Sequence, residues 1–259
     1  MSKMMNKLKK QPASYSESMS LSKYLALSGV ASRRASTQLV KDGLVTVNGQ
    51  IVKEPGYKLK SSDTVLVQGK TATVKQQKVY ILLNKPKDYI TTLADERDRK
   101  TVKDLLGDQG MRVYPVGRLD RNTTGLLLMT NDGDLAQKLA HPKYEVTKVY
   151  QVTLDMPLKS SDLEHVRAGI ELEDGFIKVD DIRYVPQMPR NQVRITLHSG
   201  KYRVVRRLFE HIGYEVIGLD RISYAGLTKK NLLVGKWRHL TEPEIIMLKS
   251  HGTKKVRLS

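Results

Sequence analysis

The residues with the clearest chemical potential lie in a polar loop, where Asp120 stands between Arg118 and Arg121. Nearby positive charge favours the ionised form of a carboxylate, so the sequence predicts that Asp120 is charged at neutral pH. An ionised carboxylate in a reactive position can act as a nucleophile or as a general base. A turn aspartate paired with a surface arginine would give the same local pattern, so the loop alone leaves both interpretations open.

Two apolar runs flank this loop and must position it. The first, over residues 113–117, is broken by Pro115 and Gly117, and the second runs from Leu126 to Met129. A polar loop between two short hydrophobic runs is typical of two buried strands joined by a turn. The carboxylate is therefore expected at the mouth of a strand pair.

The composition indicates a polyanionic partner. The chain has 259 residues, a formal net charge of +18 and a pI near 9.9, and such charge attracts nucleic acids and anionic membranes. No apolar run is long enough to cross a bilayer, and no secretory signal follows the basic N-terminus. The absence of cysteine excludes disulfides, cysteine-ligated zinc, iron–sulfur clusters and thiol catalysis. We therefore expect a soluble cytoplasmic protein that handles nucleic acid and has no membrane partner.

The pattern along the chain predicts two domains. A front module combines two short helices with a hairpin at Asn48-Gly49. In the second domain, strands outnumber helices and do not alternate with them strictly. This favours an α+β fold with a mixed, largely antiparallel sheet flanked by helices over a doubly wound one. The predicted boundaries are a disordered basic arm over 1–18, the front module over 19–68, a linker over 69–78, the second domain over 79–249 and a basic tail over 250–259.

Several element predictions in the second domain bear on the site. Lys148 to Leu154 alternates as a strand should, and Phe176 to Val185 is predicted as another strand. Ser161-x-x-Glu164 has the form of a capping box at the start of a helix. Residues 200–213 place apolar side chains at helical spacing, so a helix is predicted over that range.

The front module is strongly basic. Residues 1–77 contain 13 lysine and arginine residues against 4 acidic ones, which is half of the net charge of the chain. Lys23, Arg33, Arg34 and Lys41 lie on or beside the two predicted helices, where they are candidates for gripping a phosphate backbone. A solvated basic face would have the same composition.

The motifs G-V-A-S-R-R-A and G-L-V-T-V-N-G, over roughly residues 19–68, resemble the S-four-type RNA-binding domain, which is named after a small-subunit ribosomal protein. Members of that family often carry an arginine before L-x-K-Y-L, where this chain has Ser20. The departure concerns one phosphate contact and leaves the implied fold unchanged.

The second domain resembles the pseudouridine synthases, and within them the ribosomal RNA branch of the RsuA and RluB type. The resemblance rests on V-G-R-L-D-R-N-T-T-G-L-L-L-M-T-N-D-G, L-A-H-P, K-V-Y and G-K-Y-R-V-V-R-R-L-F, which follow each other in the family's order. It implies that Asp120 is the catalytic residue, as nucleophile or as base on the ribose. It also implies an isomerisation that requires no metal or other cofactor.

The resemblance assigns roles to three further residues, each with a simpler alternative. Arg206 matches the basic residue that pairs with the aspartate, although a helix-surface arginine would look alike. Tyr150 matches the tyrosine that stacks on the target base, and its alternative is a core tyrosine of a strand. Arg118 matches the residue that occupies the space left by the flipped uridine, and it could equally be a structural arginine bound to loop carbonyls.

The expected function is isomerisation of one uridine in structured ribosomal RNA by a monomeric enzyme. The L-A-H-P and E-L-E-D-G segments favour the large-subunit (23S) RNA, and the small-subunit (16S) RNA is the alternative. A non-catalytic ribosome-assembly factor is a second alternative. A metal-dependent nuclease is a third, but Asp132 and Asp134 are better explained as a turn and helix cap, and the histidines lack ligand spacing.

Overall fold

The structure is a computed structural model that describes residues 19–74, 77–107 and 112–251. The chain divides into two compact units, residues 1–77 and 78–259. The predicted basic arm and residues 252–259 of the predicted tail lie outside the described residues. Ser250, where that tail was predicted to begin, is still part of the last helix.

The front module forms a small core between two helices and short strands. Its core contains Leu21, Leu25 and Val40, which are fully buried. The second helix starts at Ser32, as predicted, because the Ser32 hydroxyl accepts a hydrogen bond from the amide of Ala35 at 3.2 Å. Within residues 19–74, the helices are α1 (Leu21–Leu27) and α2 (Arg33–Lys41), and the strands are β1 (Met19–Ser20), β2 (Val45–Val47), β3 (Gln50–Ile51), β4 (Lys58–Leu59), β5 (Val65–Val67) and β6 (Lys70–Thr71).

The predicted hairpin joins β2 and β3. Asn48 and Gly49 both have positive φ, 50° and 82°, and this is the backbone that a two-residue turn between antiparallel strands needs. The order of the antiparallel sheet is β3-β2-β5-β6, and β1 pairs with β4.

The prediction of a linker over 69–78 is wrong at its start. Strand β6 pairs with β5 inside that range, and the carbonyl of Ala72 accepts a hydrogen bond from the Tyr24 hydroxyl at 2.9 Å. Ala72 is itself buried in the module core. Because β6 is short and polar, it gives no periodic apolar signal, so only its pairing reveals it.

The second domain is built on one mixed sheet with the order β13-β14-β10-β15-β9-β7-β17. Strand β8 adds to β9 and strand β16 adds to β15. All described pairings in this sheet are antiparallel except β9 with β15. The strands are β7 (Tyr80–Lys85), β8 (Tyr114–Pro115), β9 (Thr124–Thr130), β10 (Lys148–Leu154), β11 (Ile170–Leu172), β12 (Gly175–Ile177), β13 (Asp181–Tyr184), β14 (Gln192–Leu197), β15 (Val216–Tyr224), β16 (Leu227–Thr228) and β17 (Trp237–His239).

Helices cover both faces of this sheet, so its central strands are buried on both sides. In β9, Leu127 and Met129 belong to one apolar cluster, whereas Leu126 and Leu128 belong to the other. Alternate residues of a strand point to opposite faces, which explains the unbroken apolar run. The described helices are α3 (Val102–Leu106), α4 (Gly133–Ala140), α5 (Ser160–Ala168), α6 (Val204–His211) and α7 (Glu242–Ser250).

Three element predictions are corrected by the structure. The range 176–185 is two strands, because β12 pairs with β11 whereas β13 pairs with β14. Helix α5 begins one residue before Ser161, and Lys159 occupies the N-cap position, where its amide donates to the hydroxyl of Tyr214 at 3.2 Å. Helix α6 begins at Val204, so residues 200–203 form a loop.

Gly125 allows the parallel contact between β9 and β15. Its φ is +110°, and a Cβ atom at this position would lie 2.4 Å from the carbonyl oxygen of Arg221. Only a glycine permits this close approach immediately after the loop that carries Asp120. Across the described parts of the chain, no helix has the length and apolar character needed to cross a membrane.

Candidate active site

Asp120 lies in the loop between β8 and β9 and borders a cavity of about 610 Å³. Its side chain is 40% exposed, so the carboxylate is accessible from solvent. Arg118 and Tyr150 line the same cavity. The structure therefore brings together three of the four residues that the sequence predicted for this site, whereas Arg206 does not belong to the cavity wall.

Hydrogen bonds to a neighbouring loop fix the backbone around Asp120. The Thr91 hydroxyl donates to the carbonyl of Leu119 at 2.7 Å and accepts from the amide of the same residue at 3.2 Å. The amide of Asp88 donates to the carbonyl of Arg121 at 3.0 Å. The main chain is thus fixed by hydrogen bonds on both sides of Asp120, at Leu119 and at Arg121.

The charges around Asp120 differ from the sequence prediction. Arg121 donates to Asp88 at 3.1 Å, so its charge is directed toward that carboxylate. The cation beside Asp120 is Arg203 instead of Arg121. Its Nη1 lies 4.0 Å from Oδ2 of Asp120, and its Nη2 lies 3.4 Å from Oε1 of Glu210. Arg203 has a left-handed φ of 48°, which is uncommon for a residue other than glycine.

Arg206 lies behind the catalytic loop. The residue is 8% exposed, and its Nη1 donates to the carbonyl of Val216 at 2.5 Å while Nη2 donates to the carbonyl of Asn122 at 3.4 Å. Burial lowers the pKa of this guanidinium, the charge of Arg203 lowers it further, and the charge of Asp120 acts in the opposite direction. Arg206 is thus within electrostatic reach of Asp120 but bonds to the loop backbone.

Tyr150 satisfies both descriptions that the sequence left open. It is 9% exposed and packs in the main apolar cluster, yet it also lines the cavity. It lies on β10 between Ile195 of β14 and Arg221 of β15, directly after an irregularity in the pairing at Val149. A tyrosine ring in this position is a wall against which a planar base can pack.

Lys85 is a site-supporting residue that the sequence reasoning missed. Strand β7 ends at Lys85, whose side chain is fully buried. Its ammonium donates to the carbonyls of Pro86, Tyr89 and Arg121 at 3.0, 2.8 and 3.3 Å. Burial lowers its pKa to about 8, against the opposing charges of Asp120 and Asp88. These three hydrogen bonds connect the loop that contains Pro86 and Tyr89 to the loop that carries Asp120.

A partly buried lysine, Lys148, stabilises another part of the cavity wall. The ammonium of Lys148 donates to the carbonyls of Val146 at 2.9 Å and His198 at 2.7 Å. Burial lowers its pKa to about 8, and the charge of Arg221 contributes in the same direction. The ring of His198 bonds to Asp180 at 3.0 Å, so this wall is also preorganised.

The residues predicted to bind RNA lie on the helices of the front module. Lys23 is in α1 and is half-buried, whereas Arg33, Arg34 and Lys41 are exposed on α2. The three exposed cations on one short helix are accessible to a phosphate backbone, and their role in binding stays a prediction.

The residues considered for a metal site have other partners. Asp132 caps α4 by accepting from the amide of Leu135 at 3.3 Å, as predicted, and it also accepts from the Tyr80 hydroxyl at 2.8 Å. Burial is the main reason that the pKa of Tyr80 is raised. Over the residues that the structure describes, no group of three or more acidic or histidine side chains is arranged to hold a metal ion.

Comparison with known proteins identifies both domains. The family model described as RNA pseudouridylate synthase matches residues 79–211, and the S4 domain model matches residues 19–65. The first match covers more than half of the chain, which therefore belongs to the RNA pseudouridylate synthase family. The protein is thus an isomerase that acts on RNA, and the expected front domain and α+β class are confirmed.

Individual relatives agree with this assignment along nearly the whole chain. An RNA pseudouridine synthase of Aquifex aeolicus is 42% identical over 240 residues, covering 91% of this chain and 96% of that protein. The ribosomal large subunit pseudouridine synthase B of Bacillus subtilis is 41% identical over 238 residues, covering 90% and 97%. A crystal structure of a pseudouridylate synthase has a TM-score of 0.63 and 28% identity, covering 89% of this chain and all of that one.

Proposed function

We propose that this enzyme converts a specific uridine of large-subunit (23S) ribosomal RNA to pseudouridine, with Asp120 as the catalytic residue. The observation that carries the proposal is the half-exposed Asp120 carboxylate in a cavity that also contains the Tyr150 ring. The choice of RNA is supported by the similar Bacillus subtilis protein, whose name specifies the large ribosomal subunit. The small-subunit (16S) RNA is the alternative substrate.

The reaction breaks the bond between the uracil nitrogen and the ribose and forms a bond from a uracil carbon to the same sugar position. A proton leaves that carbon and one is returned to the nitrogen, so the atoms balance without an oxidant, a hydrolytic water or an energy source. The proposal therefore includes no cofactor. Asp120 acts on the ribose, either as a nucleophile or as a base.

The cavity supports a flipped target base. A uridine inside a structured RNA must leave its stack to reach the carboxylate, as for other enzymes that act on a base. In the proposed complex the freed uracil packs on Tyr150, a contact worth about 1–3 kcal/mol for base stacking on an aromatic ring. The exposed Arg118 on the rim occupies the space that the uridine vacates.

The front module anchors the RNA in this proposal. Its exposed cations, Arg33, Arg34 and Lys41, contact phosphates and supply affinity without selecting the uridine. Because ribosomal RNA is the proposed substrate, we further propose a cytoplasmic enzyme, acting as a monomer on a single target uridine.

Mapping the product tests the proposal. Unmodified ribosomal RNA from both subunits is incubated with the enzyme or with its Asp120→Asn variant, and pseudouridine is located by carbodiimide labelling and primer extension. One new stop in large-subunit RNA, found with the wild type alone, is the expected result. A stop in small-subunit RNA would establish the alternative substrate. Stops in neither RNA would overturn the proposal for free ribosomal RNA, and repeating the assay on ribosome-assembly particles would test those as the substrate.

A further inference from the structure

Tyr202 presents an aromatic ring to solvent beside the candidate active site. It is 70% exposed, compared with 37% for Tyr57 and 55% for Phe176, the other exposed aromatic residues of the described chain. In the part of the chain that the structure describes, its hydroxyl bonds to no group and its ring packs on no other ring. A single exposed apolar residue is ordinary, so its location must decide whether it has a role.

The location is the rim of the catalytic cavity. Lys201 and Arg203, the two chain neighbours of Tyr202, both line that cavity. Arg203 is also the residue whose guanidinium lies 4.0 Å from the Asp120 carboxylate. A uridine bound at Asp120 brings its flanking nucleotides next to the cavity wall that contains Arg203, and the exposed Tyr202 ring is the neighbouring residue on that wall's loop.

The backbone that carries Tyr202 is fixed before RNA arrives. Arg207 of α6 donates from Nε to the carbonyl of Tyr202 at 2.8 Å and contacts Asp174 through Nη2 at 2.9 Å. Lys201 reaches the same acidic turn, where its ammonium donates to the carbonyl of Asp174. The guanidinium of Arg207 is the main reason that the pKa of Asp174 is lowered. Two cations on one turn thus immobilise the loop, which reduces the ordering cost of binding.

The chemistry of the rim fits an unpaired nucleotide. The exposed Tyr202 ring offers a stacking surface for a base, and its chain neighbours Lys201 and Arg203 add positive charge near the phosphates of that nucleotide.

We propose that Tyr202 stacks on an unpaired base immediately next to the target uridine, forming a second base-binding site outside the catalytic cavity. This inference rests on the proposed function, since the flanking nucleotide is defined by the uridine that enters the cavity. It adds a contact that selects RNA whose neighbouring nucleotide is unpaired.

A double-mutant cycle between protein and RNA tests the stacking. The substrate is the ribosomal RNA fragment that contains the mapped uridine, together with two versions in which the base on the 5′ or the 3′ side is removed. On the intact fragment we expect Tyr202→Ala to raise KM about tenfold, equivalent to about 1.4 kcal/mol, with kcat changed less than twofold. Tyr202→Phe should restore the wild-type KM, because it retains the ring.

The abasic substrates identify the partner. On one of them, wild type and Tyr202→Ala should have the same KM, because the base that the ring contacts is gone. Leu233→Ala, which truncates another exposed apolar side chain at 76% exposure, serves as the matched control and should leave KM unchanged on all three substrates. An unchanged KM for Tyr202→Ala on intact RNA would overturn the inference. So would a penalty that persists on both abasic substrates, since that indicates a partner other than a flanking base.

A binding measurement separates this inference from the proposed function. Short single-stranded RNA with 2-aminopurine next to a uridine is titrated with Asp120→Asn and with the double variant that also carries Tyr202→Ala. Stacking on Tyr202 should quench the fluorescence of the first complex more than that of the second. Equal quenching contradicts the stacking even where turnover is observed, and unequal quenching supports it even where no ribosomal RNA is modified.

Discussion

The loop that carries Asp120 and the strand that follows it are stabilised by different interactions. Strand β9 is held by apolar contacts, because Leu126 and Leu128 pack on one side of the sheet and Leu127 and Met129 on the other. The preceding loop is held by polar contacts, chiefly from Lys85 and Thr91 to main-chain carbonyl and amide groups. The contacts that stabilise the sheet and the residues that could perform chemistry are therefore largely separate, although only a few residues divide them in the chain.

The largest effect should come from the loop and leave stability intact. In the proposed mechanism the charge of Asp120 acts on the ribose, so we expect Asp120→Asn to lower kcat on the order of 10⁴-fold or more. The half-exposed side chain contributes little packing, so Tm and RNA affinity should stay close to wild type. Single-turnover kinetics, thermal unfolding and filter binding measure the three quantities. A comparable loss of RNA binding would contradict a chemical role for Asp120.

The strand should give the opposite result. Leu128→Ala leaves a cavity in a fully buried position and should lower the free energy of unfolding by about 2–5 kcal/mol. Below the unfolding transition, kcat should be retained, because Leu128 faces the apolar cluster that does not contain Tyr150. Chemical denaturation gives the stability, and active-site titration corrects kcat for unfolded protein. If kcat per folded molecule falls tenfold, the two regions are coupled.

Arg203, directly before α6, and Arg206, within it, separate the effect of a charge near Asp120 from that of buried hydrogen bonds. Arg203→Ala removes the cation beside Asp120 and should lower kcat about tenfold with little loss of Tm, since an exposed ion pair contributes about 1 kcal/mol or less to stability. Arg206→Ala removes buried hydrogen bonds to Val216 and Asn122 and should lower Tm as well as kcat. Both kcat and Tm are measured for each variant. Equal losses of Tm would show that Arg203 is structural too.

The smallest effect is a pH dependence of stability that arises from Lys85. Its pKa is about 8 in the folded protein, below its usual value, so between these two pKa values the unfolded chain binds more protons. Stability therefore rises with pH in that window, by about 1 kcal/mol between pH 8 and pH 9. The contribution of Lys85 is measured as the difference in the pH dependence of the unfolding free energy between the wild type and Lys85→Met. The rise of about 1 kcal/mol should be present in the wild type and absent from the variant. Parallel plots of unfolding free energy against pH for the two proteins would show that Lys85 does not titrate in this range.

Local patterns predicted the elements that depend on neighbours in sequence. The Asn48-Gly49 hairpin, the Ser32 cap and the strand from Lys148 to Leu154 are all present where they were predicted. The last helix likewise starts at a local feature, the capping box formed by Thr241 and Glu244. These features rest on turn geometry, capping groups and alternation, all of which operate over a few residues.

Elements that depend on distant partners were missed or misplaced. Strand β6 lies within the predicted linker, and the range 176–185, predicted as one strand, has two halves that pair with different strands. In the site, Arg121 was expected to support Asp120, but Asp88 binds it instead. None of these partners is adjacent in sequence, so the periodicity of the sequence does not indicate them.

The sequence by itself determined the two domains and the strand pair around the loop of Asp120, because apolar periodicity and turn chemistry are local. Its resemblance to the pseudouridine synthases indicated Asp120 and Tyr150 as candidate residues. Only the tertiary structure decided which cation lies beside Asp120 and that Lys85 is buried under the loop. The physical reason is that a buried or partly buried charge is defined by the groups that surround it, and here those groups come from separate strands, loops and a helix.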